Sequence, residues 1–215
     1  MSEPTFDTAG VAGRPSCRDG VLGLASWRRA VAELYAAVRR EPEPVRGHEL
    51  WRQGREELFL RHPQSPVADA DPLRATGLHY FPYDPDLRFV APLQRAQRSQ
   101  TLSVDISDGR LSLALVGLVS IAELGVSLGV WWFAQYSGGL FVPVRDATAG
   151  TETYGGGRYL LDTAKGADLG SHEGRLVIDC NFLYHPSCRY SSDWICPLAP
   201  DENTTRVAIR AGERL

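Results

Sequence analysis

The 215-residue chain has little of several features that would point to a specialised class of protein. It has four cysteines, one methionine and no excess of positive charge, since 26 acidic residues outnumber 23 cationic ones. A chain without a basic excess is not expected to bind nucleic acid or an anionic membrane through its overall electrostatic field. Hydrophobic residues make up 43% of the chain, which excludes wholesale disorder and allows a sizeable core.

The sequence also shows neither the pattern of a secretory leader nor an uninterrupted membrane span. Residues 1–10 are polar and acidic where a leader would be basic and then apolar. The one long apolar run, residues 111–133, contains Glu123 and several glycines, and a spanning helix would have to bury that carboxylate in hydrocarbon. We therefore expect a cytoplasmic protein with reduced cysteines and no membrane partner.

Changes in composition divide the chain into three parts. Residues 1–20 are rich in Gly, Pro, Ser and Thr and predict a disordered tail. Residues 21–46 hold an added helix, predicted over 27–40, and a stiff linker with the sequence Glu-Pro-Glu-Pro. Residues 47–215 form a single β-rich domain that opens with a second helix at about 48–60.

From Gly77 onward the apolar period changes to two, with turn residues about every ten positions. This pattern is typical of antiparallel strands. We predict them at residues 78–81, 89–92, 101–106, 111–121, 126–135, 140–145, 158–162, 176–181 and 205–211. Asp108-Gly109 marks the clearest hairpin turn. The predicted fold class is mainly β, an antiparallel β-barrel or β-sandwich with two N-terminal α-helices.

Many short motifs follow one another in a fixed order through the second half of the chain. They include Gly-Leu-Phe-Val-Pro at 139–143, Thr-Tyr-Gly-Gly-Gly-Arg-Tyr-Leu at 153–160, Pro-Ser-Cys at 186–188 and Ala-Gly-Glu at 211–213. With these motifs, residues 48–215 resemble the bacterial family catalogued as domain of unknown function 1684. The resemblance implies no reaction, since the family's name assigns none. The chain departs from the family pattern at Cys180, usually an aromatic residue, and at His185, usually Asn.

Three thiols and an imidazole lie within seventeen residues, at Cys180, His185, Cys188 and Cys196. Thiolate and imidazole are ligands that zinc prefers, so these four residues form an alternative metal site, although the spacing is not that of a standard finger. The favoured interpretation is that the cysteines fill buried turn positions and that the protein needs no metal or other cofactor.

The same segment permits a nucleophilic site. Cys188 could be activated by His185, with Asp179 or Asp193 orienting the imidazole ring. Among these groups we expect His185 or Asp179 to carry the proton in a reaction.

Polar groups upstream could bind a substrate. The glycines between Tyr154 and Arg158 lack the lysine of a phosphate-binding loop and predict a tight loop instead. We expect Arg158 to pair with Asp146, with an anion clamp as the less favoured role. Asn203 completes the polar set.

Two further positions have structural and functional interpretations. Consecutive tryptophans at 131 and 132 point to opposite faces of a strand, so at most one of them can line an interior cavity, and plain sheet core is the favoured interpretation. Glu123 would be a general acid if it were buried, but Gly125 beside it favours a solvated turn.

Together these observations favour an enzyme that acts on an apolar small metabolite inside a β-barrel cavity. The expected chemistry is acid–base catalysis of isomerisation, cyclisation or hydrolysis, with Asp179, His185 and Cys188 as catalytic residues. The predicted substrate contacts are Asp146, Tyr154, Arg158, Asn203 and Trp131. Two alternatives stay open, a non-catalytic small-molecule-binding module and a zinc-stabilised interaction protein. The expected partner is a small molecule, and a homodimer is possible.

Overall fold

The structure, a computed structural model, describes residues 18–106, 109–136 and 138–215. Helix α1 spans Arg18–Arg40, α2 spans Pro44–Arg61 and a short α3 spans Leu73–Thr76. The two predicted N-terminal helices are thus confirmed. The predicted linker is shorter than expected because Pro44 begins α2, where its missing N–H costs no hydrogen bond. Most of the predicted tail lies outside the described residues.

Eleven strands are present in the described part of the chain. They are β1 His79–Tyr80, β2 Arg88–Pro92, β3 Gln94–Arg95, β4 Thr101–Ile106, β5 Gly109–Ile121, β6 Val126–Phe133, β7 Leu140–Val144, β8 Arg158–Asp162, β9 Ser171–His172, β10 Arg175–Asp179 and β11 Glu213–Arg214. A six-stranded antiparallel sheet has the path β3-β5-β6-β7-β8, with β4 paired to β5. A second sheet has the order β2-β10-β9, and β1 pairs with β11.

The sheets remain open, so of the two predicted alternatives a sandwich-like arrangement fits and a closed barrel does not. One hydrophobic core joins the two larger sheets, with Ala91 and Ile178 on one side and Val119, Leu128 and Val142 on the other. Burial of these apolar side chains is the main favourable term that holds the sheets together.

A second core joins the helices to the six-stranded sheet. Tyr35 of α1 and Trp51 of α2 pack with Trp131, Phe141 and other aromatic residues. The Trp51 Nε1–H donates to the Tyr35 hydroxyl at 2.9 Å. Both helices therefore contribute to the interior. Among the described residues, no helix combines the length and the hydropathy that crossing a membrane requires.

Several local predictions are confirmed. Trp131 is buried whereas Trp132 is 43% exposed, as alternation along a strand requires. Glu123 is exposed in a 3₁₀ turn that ends at Gly125 in a left-handed conformation. Strands β4 and β5 pair as a hairpin with Gly109 at its end, although residues 107–108 of the turn lie outside the described residues.

The predicted strand at 205–211 is wrong. Its backbone groups bond to side chains and to a loop rather than to a neighbouring strand. The Ile209 N–H donates to the Asp146 carboxylate, and the Ile209 carbonyl accepts from Arg158. Gly212, with φ of 72°, then brings the chain so close to the Leu183 carbonyl that a Cβ would lie 2.4 Å from its oxygen. The side-chain bonds satisfy the backbone without a ladder.

Candidate functional site

The predicted pair of Asp146 and Arg158 is present, with Arg158 Nη2 3.1 Å from Asp146 Oδ2. The same guanidinium donates to the carbonyl oxygens of Ile209, Ala211 and Glu213. The two charged side chains are only 1–2% exposed. Burial lowers the pKa of Arg158, and the Asp146 charge opposes that change. The pair therefore fastens the C-terminal segment to β8, and the substrate contact predicted for both side chains stays a prediction.

Trp131 and Asn203 also have a structural role. The Trp131 Nε1–H donates to Asn203 Oδ1 at 2.8 Å, and Asn203 Nδ2 donates to the Gly129 carbonyl at the same distance. Both side chains are fully buried. Their hydrogen bonds satisfy polar groups inside the core, and the substrate contacts predicted for them stay predictions.

The strongest ionic cluster was not predicted. It joins Arg55 of α2 to Glu213 of β11, with Arg55 Nη2 2.8 Å from Glu213 Oε2. The same carboxylate accepts hydrogen bonds from the His185 N–H and the Tyr190 hydroxyl. Burial alone would raise the pKa of Glu213, but Arg55, His185 and the hydrogen bonds hold it well below its usual range. Glu213 is therefore ionised and completely enclosed.

His185 belongs to this cluster and not to a nucleophilic pair with Cys188. Its Nε2 accepts a hydrogen bond from the Tyr154 N–H at 3.2 Å, so the proton is assigned to Nδ1, which lies 3.6 Å from Glu213 Oε1. Both ring nitrogens have partners, and the ring is buried. The structure thus does not support the predicted activation of Cys188 by His185.

The Cys188 thiol faces two other groups. It accepts a hydrogen bond from the Tyr154 hydroxyl at 3.7 Å, and the Cys196 thiol lies in its electrostatic surroundings. The contact with Cys196, together with partial burial, raises the pKa of Cys188 far above the ordinary value, which opposes the predicted role as a thiolate nucleophile.

The four alternative zinc ligands do not converge. Cys180 is buried in the core between the sheets, where burial raises its pKa to about 12. Among the described residues, no group of three or more His, Cys, Asp or Glu side chains could hold a metal ion. The structure therefore gives no support to a zinc site formed by Cys180, His185, Cys188 and Cys196.

Asp179 is the predicted residue whose surroundings suit a functional group. It ends β10 and begins a 3₁₀ turn, where its Oδ1 accepts from the N–H and the Nδ2 of Asn181 at 3.0 and 2.8 Å. Its Oδ2 is buried without a hydrogen-bond partner and lies 3.7 Å from Arg88 Nε. One carboxylate oxygen is thus fixed by hydrogen bonds, and the other has only the ion pair with Arg88.

A small pocket of about 70 Å³ adjoins this carboxylate, at the junction of the two helices with the β2–β10 sheet. It is lined by charged and apolar side chains, namely Val38, Arg39, Glu41, Pro44, Gly47, Arg88, Leu169, Asp179 and Phe182. Burial raises the pKa of Asp179 to about 6, against the opposing effects of Asn181 and Arg88. A perturbed carboxyl group in a pocket is a recognised mark of a functional site.

His48 lies beside this region on α2 and is uncharged at neutral pH. Burial, together with the neighbouring Arg52 charge, lowers its pKa to about 4. Its ring packs against Phe182 and Tyr83 at 5.4 and 5.2 Å between centroids. The cations that line the pocket are therefore Arg39 and Arg88.

A wider groove of about 430 Å³ lies elsewhere on the surface. One wall is the loop after α2, with Ser65, Pro66 and Ala68, and the other is the segment from Tyr190 to Trp194. The Tyr190 hydroxyl points inward to Glu213, so the groove lies over the buried ionic cluster.

Sequence reasoning missed Arg39, Arg55, Arg88 and Glu213 as members of ionic sites. A signal was present for Arg55, since Trp51, Arg55 and Phe59 are spaced by four residues and share one helix face. A cation within an apolar stripe calls for a buried partner.

Comparisons with known proteins agree with the resemblance in the motifs. A family model described as "Protein of unknown function (DUF1684)" matches residues 74–214. The fold is similar to the solution NMR structure of an uncharacterized protein of Haloarcula marismortui, with a TM-score of 0.54 and 32% sequence identity. That alignment covers 76% of this chain and 90% of the other. A search of curated proteins gave no significant match. Because the family model matches well over half of the chain, the protein belongs to the DUF1684 family.

Proposed function

We propose that this protein is an enzyme in which Asp179 acts as a general base on a small polar metabolite. The observation that carries the proposal is the Oδ2 of Asp179, buried without a hydrogen-bond partner beside a pocket that Arg39 and Arg88 help to line. The predicted acid–base chemistry is kept, whereas the predicted apolar cavity inside a barrel is replaced by this pocket.

The carboxyl group has a suitable proton affinity. With a pKa of about 6, Asp179 is mostly ionised at neutral pH and still binds a proton better than an ordinary aspartate. A base whose pKa lies near the working pH is largely in the unprotonated form and still has a strong tendency to take up a proton. Asn181 fixes the carboxylate orientation through Oδ1, so Oδ2 is the atom that would accept the proton.

The pocket limits the substrate class. A volume of about 70 Å³ holds roughly two water molecules, far less than a drug-sized ligand requires. The substrate would therefore insert one polar group and remain partly outside. Arg39 and Arg88 are each about one-third exposed and would attract an anionic group, such as a carboxylate or a phosphate monoester.

In the reaction, Asp179 Oδ2 would remove a proton from the bound substrate while Arg88 holds the negative charge that develops. Return of the proton to another atom gives isomerisation, and removal from water gives hydrolysis. His185 and Cys188 take no part in this step because their contacts lie in other clusters.

The test is solvent deuterium exchange and turnover with a panel of small hydroxy acids, keto acids and phosphate monoesters. We expect at least one compound to gain deuterium or to be converted, with a rate that rises as the pH increases through about 6. Asp179→Asn should lower that rate by about a hundredfold or more, the usual contribution of a positioned base. Deuterium content by mass spectrometry measures the effect.

Asp84→Asn is the matched control, because Asp84 caps the 3₁₀ turn Pro85–Leu87 in the same way and does not line the pocket. It should retain the wild-type rate. Equal rates in Asp179→Asn and wild type would overturn the proposal. Binding of panel members without exchange or turnover would also overturn it and assign the protein to the binding modules.

A further inference from the structure

Glu41 lies in the short turn between α1 and α2 and lines the small pocket of the proposed active site. Its N–H donates to the carbonyls of Ala37 and Val38 at 3.2 and 3.1 Å, where α1 ends. Its Oε1 accepts from the Glu43 N–H at 3.0 Å, just before α2 begins. Hydrogen bonds to both sides of the turn therefore hold the Glu41 carboxylate at the pocket.

The charges around the pocket are unequally paired. Arg39 Nη1 donates to the carbonyl and to Oδ2 of Asp168 at 2.7 and 3.3 Å. Arg88 Nε lies 3.7 Å from Asp179 Oδ2. Each arginine of the pocket thus has a carboxylate partner within the protein. In the part of the chain that the structure describes, Glu41 forms no ion pair, so it is the pocket carboxylate without a counter-charge.

A cationic group on the ligand would supply the missing counter-charge to Glu41. The arginines can at the same time bind an anionic group, because a guanidinium has five N–H donors and only one nitrogen of each is engaged in its ion pair. Val38 and Leu169 add apolar surface that suits a short carbon chain between the two ligand charges. Asp179 Oδ2, buried without a hydrogen-bond partner, shows that the fold leaves polar capacity in the pocket unused.

We propose that the pocket takes a small amino acid, whose ammonium group binds Glu41 and whose carboxylate binds the two arginines. Glu41 is then the residue that selects amino-substituted acids over plain carboxylic acids. This inference rests on the proposed function, because it names the substrate class of the same site. Complementary charges at both ends of the ligand give specificity as well as affinity.

The test begins with the dissociation constants of glycine, β-alanine and γ-aminobutyrate at pH 7, measured by NMR titration of the wild-type protein. These three ligands differ in the distance between their charges. The one that binds most tightly is then compared with the analogue that lacks its ammonium group and with the analogue that lacks its carboxylate. For β-alanine these analogues are propanoate and ethylamine. We expect the amino acid to bind about fivefold more tightly than either analogue, since each lacks one ion pair.

Glu41→Gln removes the charge and keeps an oxygen that can accept from the Glu43 N–H. It should weaken binding of the amino acid to the level of the plain carboxylate, whose own binding should not weaken. Glu43→Gln is the matched control, because it removes a carboxylate two residues away that does not line the pocket. The control should retain the wild-type preference.

The wild-type comparison stands even if a variant misfolds. The inference is overturned if none of the three amino acids binds, or if the plain carboxylate or the amine binds wild type as tightly as the amino acid. It is also overturned if Glu41→Gln retains the preference. These measurements need no turnover, so such a result leaves the role of Asp179 to be decided by its own exchange rates. Amino acids that bind selectively and show neither exchange nor turnover would instead overturn the general-base proposal and leave the role of Glu41 intact.

Discussion

Two buried carboxylates, Glu213 and Asp179, experience opposite electrostatic surroundings in one fold. Burial disfavours the ionised form of both. Glu213 nevertheless has its pKa held far below the usual range, because Arg55 lies 2.8 Å away and is itself buried. Burial raises the pKa of Asp179 to about 6, because Arg88, 3.7 Å away and partly exposed, offsets only part of the effect of burial.

The difference separates a structural acid from a chemically useful one. Both carboxylate oxygens of Glu213 are bound by Arg55, His185 and Tyr190. Its charge therefore links α2 to the C-terminal strand. In Asp179, only Oδ1 accepts hydrogen bonds, from Asn181, whereas Oδ2 has no hydrogen-bond partner and lies beside a pocket. A group that the fold satisfies incompletely costs stability, and such costs are concentrated at functional sites.

The largest loss of stability is expected when the buried cluster of Arg55 and Glu213 is broken. Glu213→Gln leaves Arg55 buried without a counter-charge, and we expect a loss of about 3–5 kcal/mol of unfolding free energy at pH 7. Urea denaturation measures it. Since the folded pKa of Glu213 is depressed, its contribution is present above the unfolded value of 4.5 and is lost as the pH falls below that value. The variant and wild type should therefore converge in acid.

The control for this variant is Glu57→Gln, which removes an exposed ion pair with Arg61 and should leave the denaturation midpoint almost unchanged. A loss for Glu213→Gln as small as that of the control would show that Arg55 needs no buried partner, and the comparison between the two carboxylates would fail.

Asp179→Asn should change the unfolding free energy in the opposite direction, raising it at neutral pH relative to acid pH. The raised pKa means that Asp179 contributes stability below its unfolded value of 3.8 and loses it as the pH rises through about 6. Relative to wild type, the variant should gain on the order of 2 kcal/mol between pH 4 and pH 7, because asparagine keeps the bonds from Asn181 without a buried charge. Urea denaturation at both pH values measures the gain. A constant difference across that range would refute the raised pKa.

The contrast also shows which parts of the site the sequence could predict. Asp146 and Arg158 lie twelve residues apart in adjoining motifs, and their pairing was predicted correctly. Arg55 and Glu213 are 158 residues apart, and no local pattern joins them. The helix period places Arg55 on the buried face, but only the tertiary fold supplies the partner.

The strand predictions succeeded in β4, where exposed and half-buried residues alternate, and in β8, where every residue is buried. They failed at residues 205–211, where apolar residues also alternate with polar ones. There Arg158 and Asp146 supply hydrogen bonds that a neighbouring strand would otherwise make. Apolar periodicity indicates which side chains are buried. It does not indicate which groups form hydrogen bonds with the backbone.

The smallest expected effect tests how the satisfied cluster is held together. Tyr190→Phe removes one donor to Glu213 and keeps the aromatic contact with Phe59, whose ring centroid lies 5.1 Å away. Because Arg55 and the His185 N–H still bind the carboxylate, we expect a loss of about 1–2 kcal/mol, well below that of Glu213→Gln. Tyr136→Phe, at a fully exposed ring, should change nothing measurable in the same urea denaturation. A Tyr190→Phe loss as large as that of Glu213→Gln would mean that the tyrosine, and not Arg55, stabilises the buried charge.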